Sequence, residues 1–166
     1  MLGHVLRALH EAGIEDVIVV VGHQREQVGQ YAQSVAPGVR IAVQPGMRGT
    51  GDAVKQALPE VPADADTVMV LAGDKPLLTG ETLRDLADRH AETRAAATVL
   101  TARMADPTGY GRIVRDEVGV RRIVEHKDAT GAELEIDEIN SGLYLFEAGV
   151  LREGLQQLTS HNAQGE

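Results

Sequence analysis

The residues of this chain best suited to chemistry include an acid that follows an apolar run. Residues 68–71 are apolar and lead through Gly73 to Asp74, so a carboxylate follows directly on a predicted strand. In parallel α/β sheets this end of a strand borders the ligand crevice, where a carboxylate can hold a divalent cation bridging phosphate oxygens. The alternative is that Asp74 caps the next turn.

A glycine-flanked turn upstream could approach a nucleotide closely. Gly49 and Gly51 flank Thr50, and the glycines allow backbone to lie against a base or a phosphate. Thr50 could act as a helix cap or as a ligand donor. Gln44 follows a predicted strand, and its amide offers both a donor and an acceptor to a base edge. The alternative for Gln44 is an ordinary surface glutamine in a loop.

Three residues of the second half could contact a sugar. Gly111 lies in a glycine-rich turn that could bring backbone groups against a ligand, or simply enter a strand. Glu125 could accept hydrogen bonds from hydroxyls, or belong to a solvated charge run. Asn140 lies in a β-rich segment, where burying its amide is costly unless something hydrogen-bonds it. A ribose or sugar hydroxyl would satisfy that amide.

Composition predicts one soluble globular domain. The chain has 166 residues, 43% of them apolar, and no apolar run approaches the length of a membrane span. It has no cysteine and no recognisable export signal, so a cytoplasmic location is predicted. The net charge of -9 and the pI of about 5.1 argue against binding to nucleic acid or to a membrane.

Hydrophobic periodicity alternates between helix and strand, which favours an α/β fold with a parallel sheet in the first half and mixed sheet in the second. Residues 59–66 are interpreted as a loop rather than a domain boundary. Helices are predicted at residues 5–12, 24–34, 50–58 and 79–92, and strands at 16–21, 39–43, 68–74, 96–103 and 136–146, with two short strands around 116–119.

Several segments, in order along the chain, resemble a known family. They are QPGMRGTGDA (44–53), LAGDKPLL (71–78), DPTGYGRIV (106–114), IVEHKDAT (123–130) and EINSGLYL (138–145). Together they are similar to the N-terminal uridylyltransferase (pyrophosphorylase) domain of bifunctional GlmU, an N-acetylglucosamine-1-phosphate uridylyltransferase. The family reaction transfers uridylyl from UTP to N-acetylglucosamine 1-phosphate, releasing pyrophosphate and giving UDP-N-acetylglucosamine for cell-wall peptidoglycan.

The resemblance also implies roles for individual residues. Asp74 would be the catalytic Mg²⁺ ligand. The substrate-binding residues would be Gln44, Gly49 and Thr50 at the uracil, Gly111, Glu125 and Asn140 at the N-acetylglucosamine and the ribose, and Gly73.

The fold implied by the resemblance is a doubly wound, mostly parallel, Rossmann-like nucleotidyltransferase sheet with a mixed β region and its first strand missing. Residues 1–166 are then expected to form a single partial domain. The family's N-terminal signature loop and the C-terminal β-helix domain, which makes the full-length family homotrimeric, would be absent. Both ends of the chain, including residues 162–166, look cut.

This chain departs from the family pattern in ways that affect its expected activity and stability. Lys75 follows the acid where a small residue is usual, and such a cation would compete with magnesium for Asp74. A missing central strand would leave two strand edges unpaired and uncover part of the apolar stripe of Val5, Leu6 and Leu9. We therefore expect this chain, as it stands, to turn over little or nothing.

Two other functions remain open from the sequence. Another sugar-1-phosphate nucleotidyltransferase would keep Asp74 and the glycine turn, but would not need Glu125 and Asn140 together. A non-catalytic UDP-sugar-binding module would bind ligand without turnover and without dependence on magnesium.

Overall fold

A computed structural model describes residues 1–46 and 48–158, so Met47 and the C-terminal residues 162–166 considered above lie outside the described residues. The α-helices are α1 (Leu2–Glu11), α2 (Arg25–Val35), α3 (Gly49–Ala57), α4 (Gly80–Thr93), α5 (Gly131–Leu134) and α6 (Ala148–Gln156). The strands are β1 (Ile18–Val21), β2 (Arg40–Val43), β3 (Thr67–Leu71), β4 (Ala97–Arg103), β5 (Arg112–Arg115), β6 (Val120–Val124) and β7 (Glu138–Glu147). Within this part of the chain, no helix combines the length and the apolar character needed to cross a membrane.

The strands form two sheets of different kinds. β1 and β2 pair in parallel, with Val19 opposite Ile41. The second sheet is antiparallel and runs β3-β7-β5-β6, with β4 also paired to β7. The long strand β7 therefore organises the second half of the chain, because it hydrogen-bonds to β3, β4 and β5.

The predicted α/β class, with parallel pairing in the first half, is confirmed, and the β region predicted as mixed in the second half is an antiparallel sheet. The pairing of β3 differs from the expectation of a parallel neighbour, because β3 lies antiparallel to β7 with Leu71 opposite Leu143. In the described part of the chain, β1 pairs only with β2 and β3 only with β7, so each keeps one unpaired edge. Accordingly, most residues of β1 and β3 are half-buried rather than fully buried.

The core lies under helix α1. The expectation that its apolar stripe would be uncovered is wrong, since Val5, Leu6 and Leu9 are all buried. They belong to one apolar cluster that also contains Leu83 of α4 and Leu143 of β7. Helix packing therefore covers the stripe although two strand edges are unpaired.

Most predicted elements occur within a few residues of their expected bounds. Strand β3 ends at Leu71, earlier than expected, so Gly73 and Asp74 lie in the turn beyond it. Helices α5 and α6 were not foreseen. Helix α5 is a single turn closed by a capping box between Thr130 and Glu133, the kind of short polar segment that periodicity cannot detect.

Candidate active site

The glycine turn and Gln44 come together where β2 meets α3. Helix α3 begins at Gly49, whose φ of 82° is favourable only for glycine. The side-chain nitrogen Nε2 of Gln44 donates to the carbonyl oxygen of Gly49 at 3.1 Å and to Oδ2 of Asp52 at 2.8 Å. Thr50 is exposed in the first turn of α3, and the N-cap position belongs to Arg48 rather than to Thr50. Thr50 is thus left available as a ligand donor.

A cavity of about 620 Å³ lies at the carboxyl ends of the parallel strands β1 and β2. Its volume suits a small-molecule ligand, and its position is the one where open α/β sheets bind ligands. Gln44 lines it. The other lining residues follow β1 and Gln44, and they are Gly22, His23, Gln24, Arg25, Glu26, Gln27, Pro45 and Gly46.

Sequence reasoning missed the contribution of the β1–α2 turn. Arg25 supplies a cation to the cavity wall, and Gln24 has a φ of 51°, an uncommon backbone conformation for a residue other than glycine. The available signal was positional: residues that follow β1 must lie beside those that follow the neighbouring parallel strand β2.

Asp74 lies in an open environment beyond β3. Its side chain is 68% exposed, and the ammonium of Lys75 lies 4.0 Å from its Oδ1. No described residue donates a hydrogen bond to its carboxylate, so the cap predicted as an alternative is not formed here. Gly73 approaches α1, since a Cβ at that position would lie 3.5 Å from Leu2 Cδ1.

The donor set around Asp74 is small. Among residues 1–46 and 48–158, no three acidic, histidine or cysteine side chains cluster as a metal site would require. Magnesium commonly binds through one or two carboxylates together with water and substrate phosphates. A single exposed carboxylate fits that mode of binding, with the phosphates supplying further ligands.

A second cluster joins Gly111, Glu125 and Asn140. A Cβ at Gly111 would lie 3.1 Å from Glu125 Oε1, so the carboxylate rests against a position that only glycine fills easily. The backbone N–H of Asn140 donates to the carbonyl oxygen of Gly111 at 2.8 Å. The three candidate sugar-binding residues are therefore neighbours, although they come from distant parts of the chain.

The amide of Asn140 is hydrogen-bonded within the protein. Its Nδ2 donates to the hydroxyl of Tyr144 at 2.6 Å, and its Oδ1 accepts from the backbone N–H of Gly142 at 2.9 Å. Burial is the main cause that raises the pKa of the Tyr144 hydroxyl, and the nearby negative charge of Glu125 adds to it. A sugar hydroxyl is thus not needed to satisfy Asn140, contrary to the sequence argument.

A buried arginine beneath this cluster was also missed. Arg112 is 2% exposed and donates to the carbonyl oxygen of Tyr110, while its second terminal nitrogen lies 3.4 Å from Nδ1 of His126. Its Nε has no partner among the described residues. Hydrogen bonds from Thr108 are the main cause that lowers the pKa of Asp106, with a smaller contribution from the charge of Arg112. Arg112 therefore ties the glycine turn to the segment after β6.

The structure brings the candidates together in two groups. Gln44, Gly49 and Thr50 form one group beside the cavity, and Gly111, Glu125 and Asn140 form the other. Within the described ranges, no hydrogen bond or ion pair links Asp74 to either group.

The chain is similar to known proteins. The family model described as "Nucleotidyl transferase" matches residues 1–166. The chain is 47% identical over its whole length to the bifunctional protein GlmU of Thermobifida fusca and 50% identical to that of Trichlorobacter lovleyi. It covers 35% and 36% of those proteins, so it spans about a third of the length of these curated relatives. The resemblance predicted from the motifs is confirmed.

Solved structures support the fold. HddC from Yersinia pseudotuberculosis superposes with a TM-score of 0.68 at 20% identity, covering 92% of this chain and 64% of that one. A putative glucose-1-phosphate thymidylyltransferase from Bacillus anthracis superposes with a TM-score of 0.72 at 20% identity, covering 96% and 63%. At this identity the likeness shows the fold alone.

Proposed function

The chain belongs to the nucleotidyl transferase family, and from that premise we propose that it is the nucleotide- and sugar-binding part of a UDP-N-acetylglucosamine diphosphorylase. The reaction is uridylyl transfer from UTP to N-acetylglucosamine 1-phosphate in the cytoplasm. One observation carries this proposal: Gln44, fixed by its hydrogen bonds, lines a cavity of about 620 Å³ at the carboxyl ends of parallel strands. Such a cavity is where this kind of sheet binds a nucleotide.

The chemistry requires no covalent nucleophile from the protein. A phosphate oxygen of N-acetylglucosamine 1-phosphate attacks the α-phosphorus of UTP, a new P–O bond forms, and the bond to the β-phosphate oxygen breaks to release pyrophosphate. Catalysis then depends on holding the two substrates in line and on stabilising the charge on the phosphates. The candidate residues offer amides, backbone groups and carboxylates, which suit positioning.

We assign the base to the group of Gln44, Gly49 and Thr50. Gly49 permits the close approach of backbone at the start of α3, because its positive φ excludes most side chains. Gln44 lines the cavity. Arg25, on the cavity wall, supplies a positive charge suited to the nucleotide phosphates.

We assign the metal to Asp74. When bound there, Mg²⁺ would neutralise charge on the substrate phosphates. The carboxylate of Asp74 is open enough to take part, and Gly73 leaves the turn free of a side chain beside it. Lys75 opposes this role by competing for the same carboxylate at 4.0 Å.

We assign the sugar and ribose to Gly111, Glu125 and Asn140. Glu125 is exposed, and its carboxylate can accept hydrogen bonds, which suits sugar hydroxyls. Asn140 is half-buried, and its contacts with Tyr144 and Gly142 hold its amide in one orientation. A preorganised amide loses little entropy when a ligand binds.

The test is a calorimetric titration of the folded chain with UDP-N-acetylglucosamine, compared with UDP-glucose. We expect saturable binding that favours the N-acetylated sugar and is weakened by Glu125→Gln, which keeps the shape of the side chain and removes its charge. Glu117→Gln, in the exposed turn between β5 and β6, is the matched control and should bind as the wild type does. No binding of either sugar nucleotide by a folded chain would contradict the proposal.

A further inference from the structure

The orientation of the Gln44 amide is fixed by its surroundings. Its Nε2 faces the carbonyl oxygen of Gly49 at 3.1 Å and Oδ2 of Asp52 at 2.8 Å. A backbone carbonyl and an ionised carboxylate can only accept hydrogen bonds. The reverse orientation would place the Gln44 oxygen against two acceptors. Chemistry therefore selects the orientation found here.

Asp52 is itself held in place. It lies in the first turn of α3, where the helix dipole favours a negative charge. While Oδ2 accepts from Gln44, Oδ1 accepts from the side-chain nitrogen of Gln56 at 3.4 Å, one turn further along the helix. The carboxylate thus connects Gln44 to the rigid body of α3.

The orientation of the amide determines which Gln44 atom can contact a ligand. With its nitrogen turned toward Asp52, Gln44 keeps Oε1 as the group that can meet a ligand, and Gln44 lines the cavity at the ends of β1 and β2. No hydrogen bond to Oε1 is formed by the described residues. Gln44 is then an acceptor toward a base and not a donor.

We propose that Asp52 is a positioning residue that fixes Gln44 as an acceptor, so that the site selects bases carrying a ring N–H. This inference rests on the proposed function, in which the base binds beside Gln44. Uracil, thymine and guanine carry such a hydrogen, whereas cytosine and adenine present a ring nitrogen that only accepts. Two facing acceptors cannot form a hydrogen bond, so a cytosine or adenine placed with its ring nitrogen toward Gln44 leaves the amide oxygen unpaired.

The test compares the dissociation constants of UTP and CTP for three proteins. The wild type should favour UTP. The asparagine of Asp52→Asn can donate a hydrogen bond to Gln44, so the Gln44 amide can flip. This should reduce the preference for UTP about tenfold. The carbonyl of Gly49 remains as an acceptor, so some preference should persist. Asp52→Glu retains the carboxylate and should retain most of the preference.

The ratio of the two constants separates positioning from structural damage. A loosened fold would weaken the binding of both nucleotides alike and leave the ratio of their dissociation constants unchanged. Circular dichroism checks that each variant is folded. In a Gln44→Ala background, Asp52→Asn should no longer change the ratio, because the residue through which Asp52 acts is gone.

The remaining outcomes are also decisive. An unchanged UTP-to-CTP ratio in folded Asp52→Asn would overturn the positioning role while leaving the proposed function intact. Equal affinity of the wild type for UTP and CTP would overturn it as well. If the wild type binds neither nucleotide, the proposed function fails, and this inference fails with it.

Discussion

Asn140 donates a hydrogen bond from Nδ2 to the hydroxyl of Tyr144 at 2.6 Å, and the Tyr144 ring stacks on Phe146 at a centroid distance of 5.8 Å. Tyr144→Phe keeps the stacked ring and removes only the hydroxyl. We expect the free energy of unfolding, measured in urea, to fall by about 1 kcal/mol, the usual net contribution of one hydrogen bond. Binding of UDP-N-acetylglucosamine should weaken several-fold, since the Asn140 amide is released.

The matched control is Tyr31→Phe, which removes a hydroxyl from a tyrosine that is 49% exposed. Its effect on stability should stay within about 0.5 kcal/mol, as for most surface changes. Equal losses in the two variants would show that the contact with Asn140 contributes nothing of its own.

Arg115 and Glu138 form an ion pair in which the carboxylate is almost buried. Arg115 Nε and its terminal nitrogen donate to the two Glu138 oxygens at 2.8 and 2.6 Å, and these bonds are the main cause that lowers the pKa of Glu138 to about 2. A folded-state pKa below the unfolded one stabilises the protein above pH 4.5, and this stabilisation is lost as the pH falls from 4.5 toward 2. Arg115→Ala should lower the free energy of unfolding at pH 7 by about 2 kcal/mol and flatten this acid dependence.

Urea unfolding at pH 7 and pH 3 measures both effects. Arg89→Ala is the control, because Arg89 pairs with Glu92 in a bridge whose side chains are both 69% exposed. Exposed ion pairs contribute about 0–1 kcal/mol, so this variant should change stability little. If the acid dependence in Arg115→Ala equals that of the wild type, the Glu138 pair is not its source.

Lys75 lies beside the proposed metal ligand, with its ammonium 4.0 Å from Oδ1 of Asp74. Lys75→Ala removes a competing cation, so we expect the magnesium concentration that half-saturates UTP binding to fall about two- to five-fold, a modest change because the pair is exposed. Asp74→Asn should abolish the dependence on magnesium. Lys55→Ala, on the exposed side of α3, is the control and should leave the magnesium dependence unchanged.

Local sequence patterns were enough to predict the elements that position the site. The apolar stripe of α1, the strand that leads to Gly73 and Asp74, and the glycine at the start of α3 each have a local cause, which is periodicity or a required positive φ. The pairing of β3 with β7 joins segments far apart in the chain. No local pattern distinguishes that pairing from a parallel one.

Two of the residues that sequence reasoning missed act through other residues. Asp52 matters because of Gln44, and Arg112 because it connects Tyr110 with His126. In the sequence, each is an ordinary charged residue beside a glycine. Asn140 illustrates the opposite error, since its costly amide finds partners in Gly142 and Tyr144 within its own strand. Burial alone therefore did not identify a ligand contact.

Gly49 is required by its backbone conformation, whereas Gly29 is not. Gly49 has a φ of 82° at the first residue of α3, so Gly49→Ala forces an L-residue into a left-handed conformation. We expect a loss of about 1–2 kcal/mol in the free energy of unfolding, and weaker UTP binding because the carbonyl of Gly49 that holds Gln44 moves.

Gly29→Ala is the matched change inside α2, where the added Cβ would meet Ile41 Cγ2 at an ordinary 3.8 Å. Since alanine favours a helix interior, that variant should gain about 0.5–1 kcal/mol. Urea unfolding and UTP titration of both variants measure the contrast, and equal stabilities would mean that the positive φ at Gly49 is not a constraint on the folded chain.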